Sequence, residues 1–180
     1  FSLIEFNNLV KKIFKKKLLA YSLSFAFSVI YLASFSVIIW FYLIPLNKES
    51  ITSFIFLILI CISTDVGGFV FGNIIGGKKV TKISPNKTYS GVIGSFFLSI
   101  FSGHFYYIHF KNYLIIEINY LYLIIIISLV AQVGDLSISF LKRKARLKDT
   151  GSILPGHGGI LDRIDGVLFA LPFGLILISI

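Results

Sequence analysis

The stretch that decides the fold is residues 113–141, which read YLIIEINYLYLIIIISLVAQVGDLSISFL. A helix needs about 20 mainly apolar residues to cross the hydrocarbon core of a bilayer, and this stretch is longer than that. An α-helix also satisfies its own backbone hydrogen bonds in lipid, where no water is present to do so. Residues 113–141 are therefore predicted to form a transmembrane helix.

Four other apolar stretches are also candidate spans, at residues 18–46, 51–75, 91–110 and 166–180. Hydrophobic residues make up 56% of the 180-residue chain, and the mean hydropathy is +0.90. These values are too high for a water-soluble protein of this size. The sequence predicts an all-α bundle of about five transmembrane helices in a single domain, 1–180. Because the chain contains no Met, we expect N-terminal residues to be missing.

Positive charge is concentrated in three clusters, around residues 11–17, 78–87 and 142–148, which hold fourteen of the 17 Lys and Arg residues. Two predicted spans separate each cluster from the next, so one orientation places all three on the same side. The positive-inside rule assigns that side, with the N-terminus, to the cytoplasm. Attraction to anionic headgroups is an alternative explanation of the first cluster. Nucleic-acid binding is not indicated, because no soluble domain presents these cations.

Acidic residues also occur inside or beside the apolar spans. A carboxylate at membrane depth is costly unless it faces a water-filled cavity, a metal or a cation, so Asp65 and Asp135 are functional candidates. Helix packing through a hydrogen bond is the alternative. If the helix that contains Asp135 continues beyond residue 141, then Asp135, Ser139 and Lys142 share one face of it.

Two further acids, Asp162 and Asp165, are three residues apart and directly precede the last span. Adjacent carboxylates repel each other unless a positive charge lies near them. A magnesium ion would satisfy such a site, since Mg²⁺ takes one or two protein carboxylates and completes its shell with water and phosphate oxygens. Arg163, between the two acids, could instead contact a phosphate.

Glycines occur in both predicted cytoplasmic loops, 76–90 and 142–165; acids lie within the second loop, and Asp65 precedes the first. Gly158 and Gly159 would let a ligand approach the backbone closely, although a loop that only needs to bend has the same composition. His157 beside them could donate to a phosphate or brace the loop. The glycines between Asp65 and Lys87 suit either close helix packing or a polyphosphate groove. The spacing leaves both readings open.

The region from Ser139 to Asp165 resembles the signature of the phosphatidate cytidylyltransferases, also called CDP-diacylglycerol synthases. The matching residues are Ser139, Leu141, Lys142, Arg143, Lys148, Asp149, Gly151, Leu154, Pro155, His157, Gly158, Gly159, Ile160, Asp162, Arg163, Ile164 and Asp165. Ser84, Pro85, Lys87, Thr88 and Gly91 are similar to a second conserved region of that family.

This resemblance implies a reaction of CTP with phosphatidate that gives CDP-diacylglycerol and pyrophosphate. It also implies a homodimer in the bacterial inner (plasma) membrane, an active site that opens to the cytoplasm, and a requirement for Mg²⁺, with a second metal ion as an option. On this hypothesis the catalytic residues are Asp135, Asp162, Lys142 and Arg143. The metal ligands are Asp135, Asp162 and Asp165. The substrate-binding residues are Asp65, Ser84, Lys87, Lys148, Asp149, His157, Gly158, Gly159 and Arg163.

Two alternatives remain at this stage. Polyprenol or dolichol kinases and CDP-archaeol synthases also combine CTP with a membrane bundle, so the lipid acceptor is less constrained than the nucleotide. An ion-coupled transporter also places acids and glycine-containing helices in the membrane. It would not need a loop dense in Lys, Arg and glycine that ends in two aspartates.

Overall fold

The computed structural model describes residues 1–14, 18–44, 47–81, 84, 86–151 and 158–179. These residues form six α-helices joined by loops and one short 3₁₀ helix, and they contain no strand apart from an isolated bridge between Lys79 and Thr88. The helices are α1 (Ser2–Ile13), α2 (Leu18–Leu43), α3 (Lys48–Ile74), α4 (Tyr89–Phe110), α5 (Tyr120–Lys144) and α6 (Leu161–Ser179). The all-α prediction is confirmed.

Four helical segments in the described part of the chain are long and apolar enough to cross a membrane: Leu18–Trp40, Lys48–Ile74, Tyr89–Tyr113 and Tyr120–Lys144. Helix α6 is not among them, and its first turns carry Asp162, Arg163 and Asp165. The protein is an integral membrane protein. The total of five spans and the cytoplasmic N-terminus stay predictions.

Two predicted boundaries were wrong. Helix α5 begins at Tyr120 rather than at residue 113, because Asn119 caps it by accepting a hydrogen bond from the backbone N–H of Leu121 at 2.9 Å. Ahead of this cap, the N–H of Ile115 donates to the hydroxyl of Ser53 at 3.0 Å. Helix α6 begins at Leu161 rather than at residue 166. Asp162 and Asp165 therefore both lie on the helix.

The core lies between α3, α5 and α6. Its fully buried side chains include Phe56, Leu57 and Ile60 of α3 and Ile124 and Ile127 of α5. Large apolar side chains on the outer face of α4 remain exposed in the isolated chain, among them Phe97, Phe101 and Phe105. Their spacing of four residues forms a continuous stripe on one helix face. Such a stripe is suited to lipid contact.

Small polar residues connect the helices inside the bundle. The hydroxyl of Thr64 on α3 donates to that of Ser128 on α5 at 2.9 Å. Ser95 on α4 donates to the carbonyl oxygen of Thr64 at 2.7 Å, and Ser102 donates to Ser63 at 2.7 Å. Hydrogen bonds of this kind are a common means of joining helices where lipid supplies no hydrophobic driving force.

Helices α3 and α4 touch through their backbones at a set of glycines. A Cβ atom added to Gly67 would lie 2.4 Å from the carbonyl oxygen of Gly94, and one added to Gly91 would lie 2.7 Å from that of Gly68. The glycines between Asp65 and Lys87 thus include residues that permit close helix packing. This packing fixes the distance between the part of α3 that carries Asp65 and the loop that carries Lys87.

The substitution Gly67→Ala is expected to lower the free energy of unfolding by about 1–3 kcal/mol, the range found when extra atoms are forced into a packed interior. Its neighbour Gly68 is the matched control, because a Cβ there would lie 2.8 Å from the side-chain hydroxyl of Ser95 and no closer than 3.9 Å to a backbone atom of α4. We expect Gly68→Ala to cost less. Thermal unfolding in detergent measures both, and equal melting temperatures for the two variants would contradict the backbone contact.

Candidate active site

A cavity of about 350 Å³ lies where α3, the loop before α4, α5 and the start of α6 meet. Its lining includes four acids and two cations: Asp65, Asp135, Asp162, Asp165, Lys87 and Arg163. Its volume is within the range of small-molecule sites, roughly 300–1,000 Å³. The two predicted cytoplasmic loops therefore contribute to a single site, and Asp135 and Asp162 lie in it together.

Asp135 is the acid that α5 presents to this cavity. Its carboxylate forms an ion pair with the ammonium group of Lys87, and both side chains are about a quarter exposed. The hydroxyl of Ser139, one turn further along α5, donates to Oδ1 of Asp135 at 3.3 Å. The predicted shared face of α5 is thus confirmed at these two residues. Lys87 itself is held by its backbone, which exchanges hydrogen bonds with Val80 and Ser84.

Asp162 is held by several donors at once. Its Oδ1 accepts from the ammonium group of Lys142 at 2.8 Å. Its Oδ2 accepts from the backbone N–H of Thr150 at 2.8 Å, the hydroxyl of Thr150 at 3.0 Å and the N–H of Gly159 at 2.9 Å. Burial raises the pKa of the Asp162 carboxyl, but these hydrogen bonds outweigh burial and leave the pKa below its ordinary value. Asp162 therefore joins α5, α6 and the loop between them.

Asp165 faces Asp135 across the cavity. It is 8% exposed, and its Oδ1 accepts from the N–H of Gly166 at 2.8 Å. The carboxyl groups of Asp165 and Asp135 are close enough for their charges to interact, and Asp65 is close enough to interact with both Asp135 and Lys87. Carboxylates this close repel one another, so the cavity favours a cation or a proton.

The predicted magnesium site has a partial basis in this geometry. No three acids, histidines or cysteines of the described residues are grouped so as to hold a metal ion. Both oxygens of Asp162 already accept from protein donors. Asp135 is likewise engaged by Ser139 and Lys87, but its side chain is about a quarter exposed and lines the cavity together with Asp165. Two carboxylates are sufficient for Mg²⁺, because phosphate oxygens and water complete its shell. The donor set of Asp135 and Asp165 therefore fits a magnesium ion, which stays a prediction.

The other predicted site residues are distributed around the cavity. Ser84 lines it, and Gly159 contacts Asp162 through its N–H. Gly158 has a φ of 84°, a left-handed conformation for which glycine is favoured. The guanidinium of Arg143 donates to the carbonyl oxygen of Leu147 at 3.3 Å, so this side chain turns back to its own loop.

Two further predicted residues, like Arg143, are not part of the cavity lining, and one cannot be placed. Lys148 is exposed and is not part of the lining. Asp149 lines a separate groove beside Lys11 and Lys12 of α1. His157 lies outside the described residues.

Three residues near the site were not predicted. Gln132 lines the cavity one turn before Asp135, and its side-chain nitrogen is buried without a hydrogen-bond partner in the described structure. Thr150 supplies two of the donors to Asp162. Glu5 is 3% exposed and contacts the start of α6. A lone acid in the otherwise basic segment 1–17 was the one signal that could have drawn attention to Glu5.

A lipid-embedded bundle whose cavity combines carboxylates with lysine and arginine has the composition of a membrane protein that binds phosphate compounds. The sequence profile of the cytidylyltransferase family matches residues 2–180. The chain belongs to the cytidylyltransferase family.

Relatives of this chain carry a common name, phosphatidate cytidylyltransferase. The protein of Helicobacter pylori is 42% identical over 125 residues, which are 64% of this chain and 42% of the relative. That of Rickettsia bellii is 38% identical over 141 residues, 72% of this chain and 60% of the relative. That of Bacillus subtilis is 37% identical over 139 residues, 75% and 50% respectively. The chain thus spans about half the length of these relatives.

Proposed function

We propose that the protein transfers the cytidylyl group of CTP to phosphatidate, giving CDP-diacylglycerol and pyrophosphate. The observation that carries this proposal is the single cavity in which α3, α5 and α6 bring four aspartates together with Lys87 and Arg163. Membership of the cytidylyltransferase family and the names of the relatives support the same reaction. An ion-coupled transporter would not require the dense set of phosphate-binding groups at this end of the bundle.

The proposed reaction is an in-line displacement at phosphorus. A phosphate oxygen of phosphatidate attacks the α-phosphorus of CTP, a new P–O bond forms, and the bond to the β-phosphate oxygen breaks. Pyrophosphate leaves with the electron pair of that bond. Because both reactants are anions, charge neutralisation and positioning supply most of the rate enhancement. No covalent intermediate with the protein is needed.

The cations of the site have separate tasks in this proposal. Lys87 is paired with Asp135 and Lys142 with Asp162, so each ammonium group is held beside the cavity before substrate arrives. Arg163 lines the cavity on the first turn of α6, where a planar guanidinium can bind two phosphate oxygens at once. Preorganised positive charge stabilises the charge that develops on the leaving pyrophosphate.

Asp135 and Asp165 would hold a magnesium ion beside the triphosphate. When bound, the ion would offset the negative charge of the phosphate oxygens of CTP and so favour attack of phosphatidate at the α-phosphorus. Asp162 orders the loop after α5 through its contacts with Thr150 and Gly159. Its predicted role as a metal ligand would require it to exchange a protein donor for the ion.

The proposed location is the bacterial inner membrane, with the cavity open to the cytoplasm. The three basic clusters support this orientation through the positive-inside rule. Phosphatidate keeps its acyl chains in the bilayer, so a site at the end of the bundle lets the lipid phosphate meet a water-soluble nucleotide. A homodimer is also proposed, and size-exclusion chromatography with light scattering in detergent tests it.

The direct test uses the complete purified protein in mixed micelles with labelled CTP. We expect pyrophosphate release and labelled CDP-diacylglycerol only when phosphatidate is present, and loss of both on chelation of divalent cations. Polyprenol, dolichol and archaeol acceptors serve as comparison lipids. If pyrophosphate release did not depend on phosphatidate but depended on one of the other lipids, the proposed acceptor would be wrong. If the protein transported an ion and did not turn over CTP, the proposed enzymatic activity would be wrong.

A further inference from the structure

The carboxylate of Glu5 is buried at the start of α6, although Glu5 belongs to α1 at the other end of the sequence. Its Oε2 accepts from the backbone N–H of Leu161 at 2.8 Å, and its Oε1 accepts from that of Ile160 at 3.1 Å. The hydroxyl of Thr150 lies 3.3 Å from Oε2. With 3% exposure, Glu5 is bound to the protein and not to solvent.

Burial of a carboxylate is unfavourable unless its oxygens are hydrogen-bonded. The N–H groups at the start of a helix have no partner within the helix, and the positive end of the helix dipole lies there, so an acid is favoured at this place. Helix α6 receives this acid from α1, in addition to Asp162 of its own first turn. The contact therefore fixes α1 against the first turn of the helix that carries Asp162.

Thr150 links Glu5 to the cavity. Its hydroxyl lies 3.0 Å from Oδ2 of Asp162 and 3.3 Å from Oε2 of Glu5. Asp162 in turn accepts from Lys142 at 2.8 Å. Glu5 does not line the cavity, so it can act on the reaction only through these neighbours.

Two glycines leave the space that Glu5 occupies. A Cβ atom added to Gly151 would lie 2.6 Å from Oε1 of Glu5, and its nearest neighbours would all be atoms of this side chain. A Cβ added to Gly159 would lie 2.6 Å from Oε2 of Glu5 and 2.3 Å from the hydroxyl oxygen of Thr150. The absence of side chains at Gly151 and Gly159 is thus explained by room for the carboxylate, independently of any bound ligand.

We propose that Glu5 is a positioning residue, whose buried carboxylate holds the first turn of α6 and Thr150 so that Asp162 and Lys142 keep their places beside the cavity. The catalytic part of this inference rests on the proposed cytidylyl transfer. The structural part, the clamp between α1 and α6, does not depend on any activity.

The kinetic test uses Glu5→Gln, which keeps the shape of the side chain and removes its charge. We expect the KM for CTP to rise roughly tenfold, the change that corresponds to about one charge-assisted hydrogen bond. Glu5→Asp keeps the charge and should give a smaller rise. A mere loss of folded protein would lower the apparent kcat and leave KM unchanged. Glu117→Gln, an exposed acid between α4 and α5, is the matched control and should leave KM as it is.

Hydrogen exchange supplies a readout that needs no turnover. In Glu5→Gln the amides of residues 158–163 should exchange at least tenfold faster, while those of α3 and α4 keep their rates. Unchanged exchange at residues 158–163 overturns the clamp. Faster exchange there with an unchanged KM for CTP overturns the positioning role. If the wild-type protein did not turn over CTP, the proposed function would be wrong. The hydrogen-exchange experiment would still test the contact between α1 and α6, because it needs no turnover.

A double substitution tests the glycine space. Gly151→Ala should displace the carboxylate and speed exchange at residues 158–163, whereas in a Glu5→Ala background the same substitution should add little. Interaction of this kind is expected only for residues that share a contact. Full additivity of the two substitutions, measured by exchange and by melting temperature, would contradict the assignment of this space to Glu5.

Discussion

The variant Asp135→Asn is expected to lose phosphatidate-dependent CTP turnover by roughly 1,000-fold, equivalent to about 4 kcal/mol of transition-state stabilisation. An amide at this position can still accept the hydrogen bond of Ser139, which lies 3.3 Å from Oδ1. It cannot form the ion pair with Lys87 or share a cation with Asp165. The loss should therefore fall on kcat, with the fold preserved, as measured by pyrophosphate release and by melting in detergent.

Ser139→Ala is the comparison for this variant. It removes a long hydrogen bond and leaves the charge of Asp135, so we expect a loss of no more than roughly tenfold, equivalent to about 1.4 kcal/mol. If Asp135→Asn kept a tenth or more of wild-type turnover while folded, the carboxylate would not be part of the reacting site. If Asp135→Asn needed the same magnesium concentration for turnover as the wild type, Asp135 would not be a magnesium ligand.

The sequence was sufficient for the parts of the site that follow from helical spacing. Asp135 and Ser139 are four residues apart, and α5 continues beyond residue 141 as assumed, so both lie on the face that meets the cavity. The lipid environment makes this kind of inference strong, because only a few polar residues occur in long apolar helices and each needs a partner. The placement of Asp65 and Lys87 at one site was predicted from the family resemblance, because spacing alone left close helix packing as an alternative.

Contacts between distant segments could not be inferred in the same way. The pairing of Glu5 with the start of α6 joins residues 156 positions apart, and no local spacing encodes it. The late start of α5 depends on the Asn119 cap, a short-range signal that the apolar composition of residues 113–118 concealed. The sequence also does not reveal that Thr150 and Gly159 fold back to donate to the oxygens of Asp162, whose role as a metal ligand stays a prediction.

The pair of Lys142 and Asp162 provides the second large effect. Their side chains are 12% and 10% exposed, and removal of one partner from a buried pair costs about 3–5 kcal/mol when the other charge is left without compensation. Asp162→Asn leaves the ammonium group of Lys142 buried without a compensating negative charge. It also places an amide N–H₂ group where a carboxylate oxygen accepted hydrogen bonds, so that donors face each other. Lys142→Met is milder, about 1–3 kcal/mol, because Oδ2 of Asp162 keeps its contacts with Thr150 and Gly159. Each single variant should lower turnover at least roughly 100-fold.

The double variant Lys142→Met with Asp162→Asn should be less unstable than the sum of the two singles, because no uncompensated charge remains. Thermal unfolding of all four proteins in detergent gives the interaction energy directly. Additivity within about 0.5 kcal/mol would mean that the two charges do not depend on each other. If Asp162→Asn instead melted like the wild type and needed far more magnesium for turnover, Asp162 would act as a metal ligand and its contacts with the loop would be secondary. The stability of this one variant therefore separates a carboxylate that orders the α5–α6 loop from one that binds the ion.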